Sequence, residues 1–121
     1  MSSGVLDGKF ALITGGSRGM GREMAIAYAK AGAAGVAITA APGTDEKGSE
    51  IEDELNEVLV AIEREGGKGI ALLGDVAKAK DCMRVVEETI KGFGALHILI
   101  NNAGYALPNA FHENSLEDEE K

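Results

Sequence analysis

Apolar and polar positions along the chain follow two alternating patterns. Short, nearly continuous apolar runs alternate with longer segments in which apolar residues recur at helical spacing. The runs are typical of buried strands, and the longer segments are typical of amphipathic helices. The predicted strands are Lys9–Thr14, Val36–Thr39, Gly69–Leu73 and Leu96–Ile100. The predicted helices are Gly21–Ala31, Ser49–Arg64 and Ala79–Lys91.

The second and third helices each show an apolar row. The second follows a predicted loop, Ala40–Gly48, starts at Ser49 and stops at Gly66-Gly67. Its buried row is predicted to be Ile51, Leu55, Val58, Leu59 and Ile62. The third helix is predicted to bury Cys82, Val86, Ile90 and Phe93. On this pattern Cys82 is a core residue and not a nucleophile.

Strands that alternate with helices of this length predict a parallel sheet with right-handed crossovers. The strands carry few charges, as expected when helices cover both faces of the sheet. By length the chain is one domain, residues 1–121. The predicted fold class is α/β, with a Rossmann-like, doubly wound parallel sheet.

Composition narrows the classes of partner. The net charge of −8 argues against nucleic acid and against anionic membranes, because both require a basic surface. No apolar run reaches the ~20 residues that span a bilayer. Cys82 is the one cysteine, and His97 and His112 stand far apart, so neither a disulfide nor a zinc site is expected. A cytoplasmic protein is the expectation.

The segment from Thr14 to Gly21 carries the clearest chemical signal. It follows the first strand and opens the first helix, with glycines at Gly15, Gly19 and Gly21. Glycines allow close approach of the backbone to a pyrophosphate, and the free N–H groups of a helix start point at the anion. A Gly-rich structural turn is the alternative. No Gly-Lys-Ser/Thr follows, so the segment is not a Walker loop.

Three motifs together resemble the short-chain dehydrogenase/reductase family. They are the loop from Thr14 to Gly21, the Asp75-Val76 pair after the third strand, and Asn101-Asn102-Ala103-Gly104 after the fourth. The resemblance extends from Leu6 onward and covers the N-terminal, cofactor-binding part of such enzymes. It implies a strand order of 3-2-1-4 in an incomplete four-stranded sheet.

The resemblance also implies roles for individual residues. Asp75 would accept a hydrogen bond from the adenine amino group, and Val76 would pack beside the ring. Asn102, Ala103 and Gly104 would lie along the ribose and pyrophosphate. The alternative for both asparagines is to satisfy backbone groups where strands diverge, and this structural role is expected for Asn101. The alternative for Asp75 is capping of the approach to the third helix. The cofactor-binding set is Gly15, Ser17, Arg18, Gly19, Met20, Gly21, Asp75, Val76, Asn102, Ala103 and Gly104.

The end of the second strand bears on the choice of dinucleotide. NAD enzymes place a carboxylate there to hold the ribose 2′-OH. This chain has Thr39-Ala40-Ala41, and the nearest acid is Asp45. Arg18 matches the position where NADP-preferring members carry a basic residue, and a guanidinium grips a 2′-phosphate through charge-assisted bonds, with Ser17 adding one more. The expected cofactor is NADP, with NAD less favoured; a solvated loop charge is the alternative for Arg18.

Catalysis in the family uses a Tyr-x-x-x-Lys pair, an upstream serine and an asparagine. Tyr28 and Tyr105 are followed four residues later by Gly32 and Asn109, so no catalytic residue is assigned. His97 is expected to be structural. The leading hypothesis is the cofactor-binding part of an NADP-dependent oxidoreductase acting on a carbonyl or alcohol substrate. The alternatives are a stand-alone NADP-binding module and an inactive, truncated fragment.

The fourth strand, Leu96–Ile100, is apolar and would lie at the edge of the predicted sheet. An uncovered apolar edge is a template for pairing with another chain. We therefore expect one of three outcomes for this chain in isolation: marginal stability, self-association through this edge, or the behaviour of a truncated product.

Overall fold

A computed structural model of the chain describes residues 4–17, 19–42 and 46–102. The strands are β1 (Phe10–Ile13), β2 (Gly35–Ala40), β3 (Lys68–Leu73) and β4 (Ile98–Ile100). The helices are α1 (Gly19–Lys30), α2 (Glu46–Arg64) and α3 (Ala79–Phe93). Among the described residues, no helix is both long enough and apolar enough to cross a bilayer.

The four strands form one parallel sheet in the order β3-β2-β1-β4. Leu12 of β1 pairs with Ala37 of β2 on one side and with Leu99 of β4 on the other. Each connection between strands contains a helix, as parallel pairing requires. The predicted Rossmann-like fold and its strand order are confirmed.

Helices cover the two faces of the sheet unequally. The face under α1 and α2, here the α1–α2 face, holds a large buried cluster that includes Ile13, Ile38, Val58 and Ile62. The opposite face, the α3 face, holds Leu12, Ala37 and Val85 as its fully buried residues, with partly buried neighbours around them. The predicted apolar row of α2 is confirmed: Leu55, Val58 and Ile62 are buried, and Ile51 and Leu59 pack against them.

The predicted buried row of α3 is correct in part, since Val86 and Phe93 pack against the buried cluster of the α3 face. Val85 and Thr89 are the buried residues of this helix, whereas Ile90 is 43% exposed and Cys82 is half-buried. Adjacent residues point about 100° apart on a helix, so the apolar spacing alone does not decide which of two neighbouring rows faces the sheet. The buried row contains a polar residue, Thr89, so its spacing is not visible as an apolar pattern. The assignment of Cys82 to the core is therefore corrected.

Two predicted helix starts are also wrong. Helix α2 begins at Glu46, so Ser49 lies inside its first turn and the predicted loop to Gly48 is too long. Glu and Lys are good helix formers, which lets the helix extend toward Pro42. Helix α1 begins at Gly19, two residues before the predicted Gly21. Part of the glycine segment is therefore the first turn of the helix.

Candidate cofactor-binding site

The predicted binding segments meet along one edge of the sheet. Because all four strands are parallel, their carboxyl ends share an edge, where open α/β sheets bind ligands. The segments at this edge are 14–17 after β1, 41–42 after β2, 74–76 after β3 and 101–102 after β4. Residues that are far apart in the sequence are thus brought together as the motifs predicted.

Glycines in the first segment serve two different purposes. A Cβ on Gly16 would meet Ile38 at 2.6 Å, and a Cβ on Gly21 would meet the Asn102 amide nitrogen at 2.6 Å as well as the Gly15 carbonyl. These two glycines permit close packing of the loop and of α1 against the sheet edge. A side chain larger than hydrogen would push the elements apart.

Gly19 has the opposite environment. Its φ is +57°, in the left-handed region, and no other described residue lies within 4 Å of a Cβ built there, its chain neighbours aside. It is the first residue of α1, whose first turn carries no acidic side chain. A glycine with room beside it at the start of a helix suits the binding of an anion, because the unpaired N–H groups of the first turn carry partial positive charge. Gly15, at φ +71°, supplies the tight turn after β1.

Thr39 anchors the glycine segment to β2. Its hydroxyl oxygen accepts a hydrogen bond from the Gly15 N–H at 3.3 Å, and its carbonyl accepts one from the Gly16 N–H at 2.9 Å. The Thr39 residue is 1% exposed. Sequence reasoning considered this position only for its lack of a carboxylate and missed the anchor. A buried β-branched hydroxyl at a strand end was the available signal.

Thr14 and Asn102 join the loop to β4. The Asn102 N–H donates to the Thr14 hydroxyl oxygen at 2.9 Å, and the Asn102 side-chain amide donates to the Gly15 carbonyl at 3.3 Å. The Thr14 N–H donates to the Ile100 carbonyl at 3.0 Å. Asn101 Oδ1 lies 3.3 Å from the Thr14 hydroxyl. Both asparagines therefore hold backbone or loop groups, and Asn102 does so more extensively than Asn101.

Asp75 and Val76 form the turn between β3 and α3. Asp75 is half-buried, and its Oδ1 accepts a hydrogen bond from the Ala77 N–H at 3.0 Å. Val76 is half-buried and packs against the cluster on the α3 face. The Asp75 carboxylate thus shapes the turn that leads into α3, which gives the capping alternative a visible contact.

The structure describes some of the remaining predicted cofactor-binding residues and not others. Ser17 is buried, whereas Met20 is 71% exposed at the start of α1. Arg18, Ala103 and Gly104 lie outside the described residues, as does Asp45. No group of three or more His, Cys, Asp or Glu side chains suited to a metal ion occurs within residues 4–17, 19–42 and 46–102.

The sequence places His97 within the fourth strand, but in the structure β4 begins at Ile98, so His97 lies just before it. The His97 ring atom Nδ1 accepts a hydrogen bond from the Phe10 backbone N–H at 3.0 Å, and the His97 backbone N–H donates to the Phe10 carbonyl at 2.9 Å. The Phe10 ring stacks on Phe93 with ring centroids 4.8 Å apart. His97 therefore extends the pairing of β1 with β4 at the edge opposite the candidate site.

Comparison with known families and proteins bears on this site. A family model described as short chain dehydrogenase matches residues 9–121. General stress protein 39 of Bacillus subtilis (strain 168) is 43% identical over 103 residues, which are 85% of this chain and 33% of that protein. The chain spans about a third of the length of such relatives.

Solved structures give the same picture. The short-chain dehydrogenase/reductase from Serratia marcescens BCRC 10948 is 38% identical, with a TM-score of 0.71 over 83% of this chain and 37% of that one. An NADH-dependent reductase complexed with NAD is 32% identical, with a TM-score of 0.67 over 83% of this chain and 38% of that one. The sequence-based resemblance is confirmed, and the chain belongs to the short-chain dehydrogenase family.

Proposed function

We propose that this chain is the NADP(H)-binding part of an oxidoreductase that transfers hydride between the nicotinamide and a carbonyl or alcohol substrate. The observation that carries the proposal is the start of α1, where no described residue crowds a Cβ built on Gly19 and the first turn carries no acidic side chain. Family membership supports a nicotinamide dinucleotide as the ligand of that backbone.

The proposed contacts follow the sheet edge. The pyrophosphate lies against Gly15, Ser17 and the first turn of α1, including Met20 and Gly21. Asp75 accepts a hydrogen bond from the adenine amino group, and Val76 packs beside the ring. Asn102, Ala103 and Gly104 lie along the ribose and the pyrophosphate. Each assignment comes from the family motif, and the described members of the set lie along one edge of the sheet.

The end of β2 supports NADP over NAD. Thr39 and Ala40 are buried there and Ala41 is exposed, and none of these three residues carries a carboxylate that would hold a 2′-OH or repel a 2′-phosphate. Arg18 is the proposed partner of the 2′-phosphate, because a guanidinium forms paired, charge-assisted hydrogen bonds with phosphate oxygens.

Proton transfer is assigned to residues beyond these 121. The sequence contains no Tyr-x-x-x-Lys pair, and the chain spans about a third of its relatives' length. In the proposed complete enzyme, a tyrosine and a lysine supplied by the remainder would exchange a proton with the substrate oxygen.

Titration with NADPH and NADH tests the proposal. Arg18→Ala is expected to raise the Kd for NADPH about tenfold, because charge-assisted bonds to the 2′-phosphate are lost, and to change the Kd for NADH less than about twofold. The matched control is Arg22→Ala, which removes a partly exposed arginine of α1 that pairs with Glu57 of α2 at 3.4 Å. Equal losses for both dinucleotides would overturn the NADP assignment.

The same preparation separates an enzyme from a stand-alone binding module. Oxidation of NADPH in the presence of simple carbonyl compounds is followed at the nicotinamide absorbance band. We expect these 121 residues to bind NADPH without turnover. We expect turnover once the remainder of a family enzyme is present. Absence of NADPH binding would contradict both the enzyme and the binding-module hypotheses.

A further inference from the structure

Two side chains of α3 hold the backbone on both sides of Gly74. Arg84 donates from Nη2 to the carbonyl of Leu73, the last residue of β3, at 2.6 Å. Asp81 accepts at Oδ2 from the Asp75 N–H at 2.8 Å. The Arg84 Nη2 and Asp81 Oδ1 atoms are 3.9 Å apart. We call this pair the Asp81–Arg84 clamp.

The clamp closes on a position with little free space. Gly74 is buried, its N–H donates to the Ala40 carbonyl at 2.9 Å, and a Cβ there would meet Arg84 Nη2 and Val85 Cγ1 at 3.0 Å each. The Gly74 backbone is thus fixed from β2 on one side and from α3 on the other. Asp75 follows immediately, so its backbone has a defined direction before its carboxylate meets any ligand.

The geometry points to Asp81 and Arg84 as positioning residues for the adenine end of the dinucleotide. The inference rests on the proposed function, in which Asp75 and Val76 receive the adenine. A carboxylate discriminates an amino group only when held within hydrogen-bond distance and direction, and residues behind the contact supply that precision. The clamp acts through Asp75 and makes no contact with the ligand itself.

The charges suit this role. The Arg84 and Asp81 side chains are 41% and 31% exposed, so water screens their mutual attraction and the ion pair itself adds little stability. Their hydrogen bonds to the Leu73 and Asp75 peptide groups are short and charge-assisted, and these are the bonds that order the turn. Arg84 also pairs with Glu88 at 3.5 Å, one turn further along α3, which offers a control that leaves the clamp intact.

The test compares NADPH with its analogue that carries hypoxanthine in place of adenine. The analogue has a carbonyl where adenine has its amino group, so the ratio of the two dissociation constants reports the contact with Asp75. Arg84→Met is expected to lower the preference for NADPH about fivefold, toward the value of Asp75→Ala, because the carboxylate loses its fixed direction. Glu88→Gln is expected to keep the wild-type ratio.

A second variant and a ligand-free measurement protect the test against misfolding. Asp81→Asn keeps the side-chain size, removes the charge, and is expected to lower the same ratio. In both clamp variants without ligand, hydrogen exchange at the Asp75 N–H is expected to accelerate relative to exchange at the Ile38 N–H in β2.

The outcomes are separable. If wild type binds neither nucleotide, the proposed function fails and the inference falls with it. If wild type prefers NADPH and the clamp variants weaken both nucleotides equally, the clamp has only a structural role and this inference fails while the proposed function stands. A lowered ratio in Arg84→Met and Asp81→Asn, with Glu88→Gln unchanged, supports the inference.

Discussion

The two faces of the sheet are built to different degrees of closure. On the α1–α2 face, two helices cover a continuous cluster in which Val58 and Ile62 have no exposed surface. On the α3 face, one helix covers β1 to β3, and Leu99 of β4 is 54% exposed. Leu99 pairs directly with Leu12, a buried residue of the α3 face, so both side chains point to that face.

The difference teaches where this fold obtains its stability. Burial of apolar side chains is the main favourable contribution to folding, and it is concentrated under α1 and α2. The outer side of α3 instead presents Met83 at 63% exposure and Ile90 at 43%. Exposed apolar side chains thus occur on both α3 and β4, and such residues are common at contact surfaces when they lie together.

The largest expected effect compares one isoleucine from each face. Ile62→Ala should lower the free energy of unfolding by about 2–5 kcal/mol, because it leaves a cavity in a closed cluster. Ile90→Ala should cost less than about 1 kcal/mol, since the side chain is already partly in water and alanine favours the helix. Urea denaturation of both variants measures the two losses in the free energy of unfolding. Comparable losses would show that the two faces are equally closed.

Self-association should depend on the α3 face. We expect the 121-residue chain to associate through the β4 edge, and Leu99→Lys to weaken that association about tenfold or more, because a charge replaces an apolar side chain that association would bury. Val60→Lys is the control, because Val60 is 48% exposed on α2, away from that edge. Sedimentation at several concentrations measures association. A monomer at every concentration contradicts the expectation.

Removal of the buried hydroxyl of Thr39 or Thr89 is expected to have a smaller effect on stability and NADPH affinity. Thr39→Val should cost about 1 kcal/mol of stability and should weaken NADPH binding, because the Gly15 N–H loses its acceptor. Thr89→Val removes a hydroxyl that donates to the Val85 carbonyl at 2.7 Å within α3. That bond is local and duplicates helix bonding, so little change in stability and no change in Kd is expected. Calorimetric titration of both variants distinguishes them; a loss of affinity in Thr89→Val would contradict the assignment.

The smallest effects concern surface ion pairs on the two faces. Glu57→Gln breaks the pair with Arg22 that links α2 to α1, and about 0.2–1 kcal/mol should be lost. Glu88→Gln breaks the pair with Arg84 within α3, and about 0.3–0.5 kcal/mol should be lost. Both losses should shrink in high salt, since exposed charges are screened. A larger loss that persists in high salt would show that the pair is more than a surface contact.

How much the sequence predicted depended on the range of the interactions. The buried row of α2 was predictable because Leu55, Val58 and Ile62 repeat at helical spacing within one segment. The strand order was predictable because the motifs identified a family with a known topology. The buried row of α3 was harder to predict, because Val85 and Val86 are adjacent apolar residues and Thr89, which is buried, has a polar side chain.

The candidate site shows the same limit. The positions Gly15, Gly19 and Gly21 could be predicted from the sequence, because the conformation or the packing at each of them requires glycine. The Thr39 hydroxyl meets Gly15 from 24 positions away, and no spacing rule marks such a pair. The Asp81–Arg84 clamp is closer in sequence, yet its partners are backbone groups, which no residue pattern records.

The anchoring of the loop by Thr39 has a consequence for how cofactor preference can change, in evolution or by design. The residue that fixes the loop is buried, whereas Ala41, two positions later, is exposed. Under the proposed function, a carboxylate introduced at the exposed Ala41 is expected to meet the ribose without disturbing the bonds from Gly15 and Gly16 to Thr39. In that proposal, loop shape and nucleotide preference rest on different side chains, so a lineage would exchange one dinucleotide for the other while the backbone proposed to hold the phosphates stays the same.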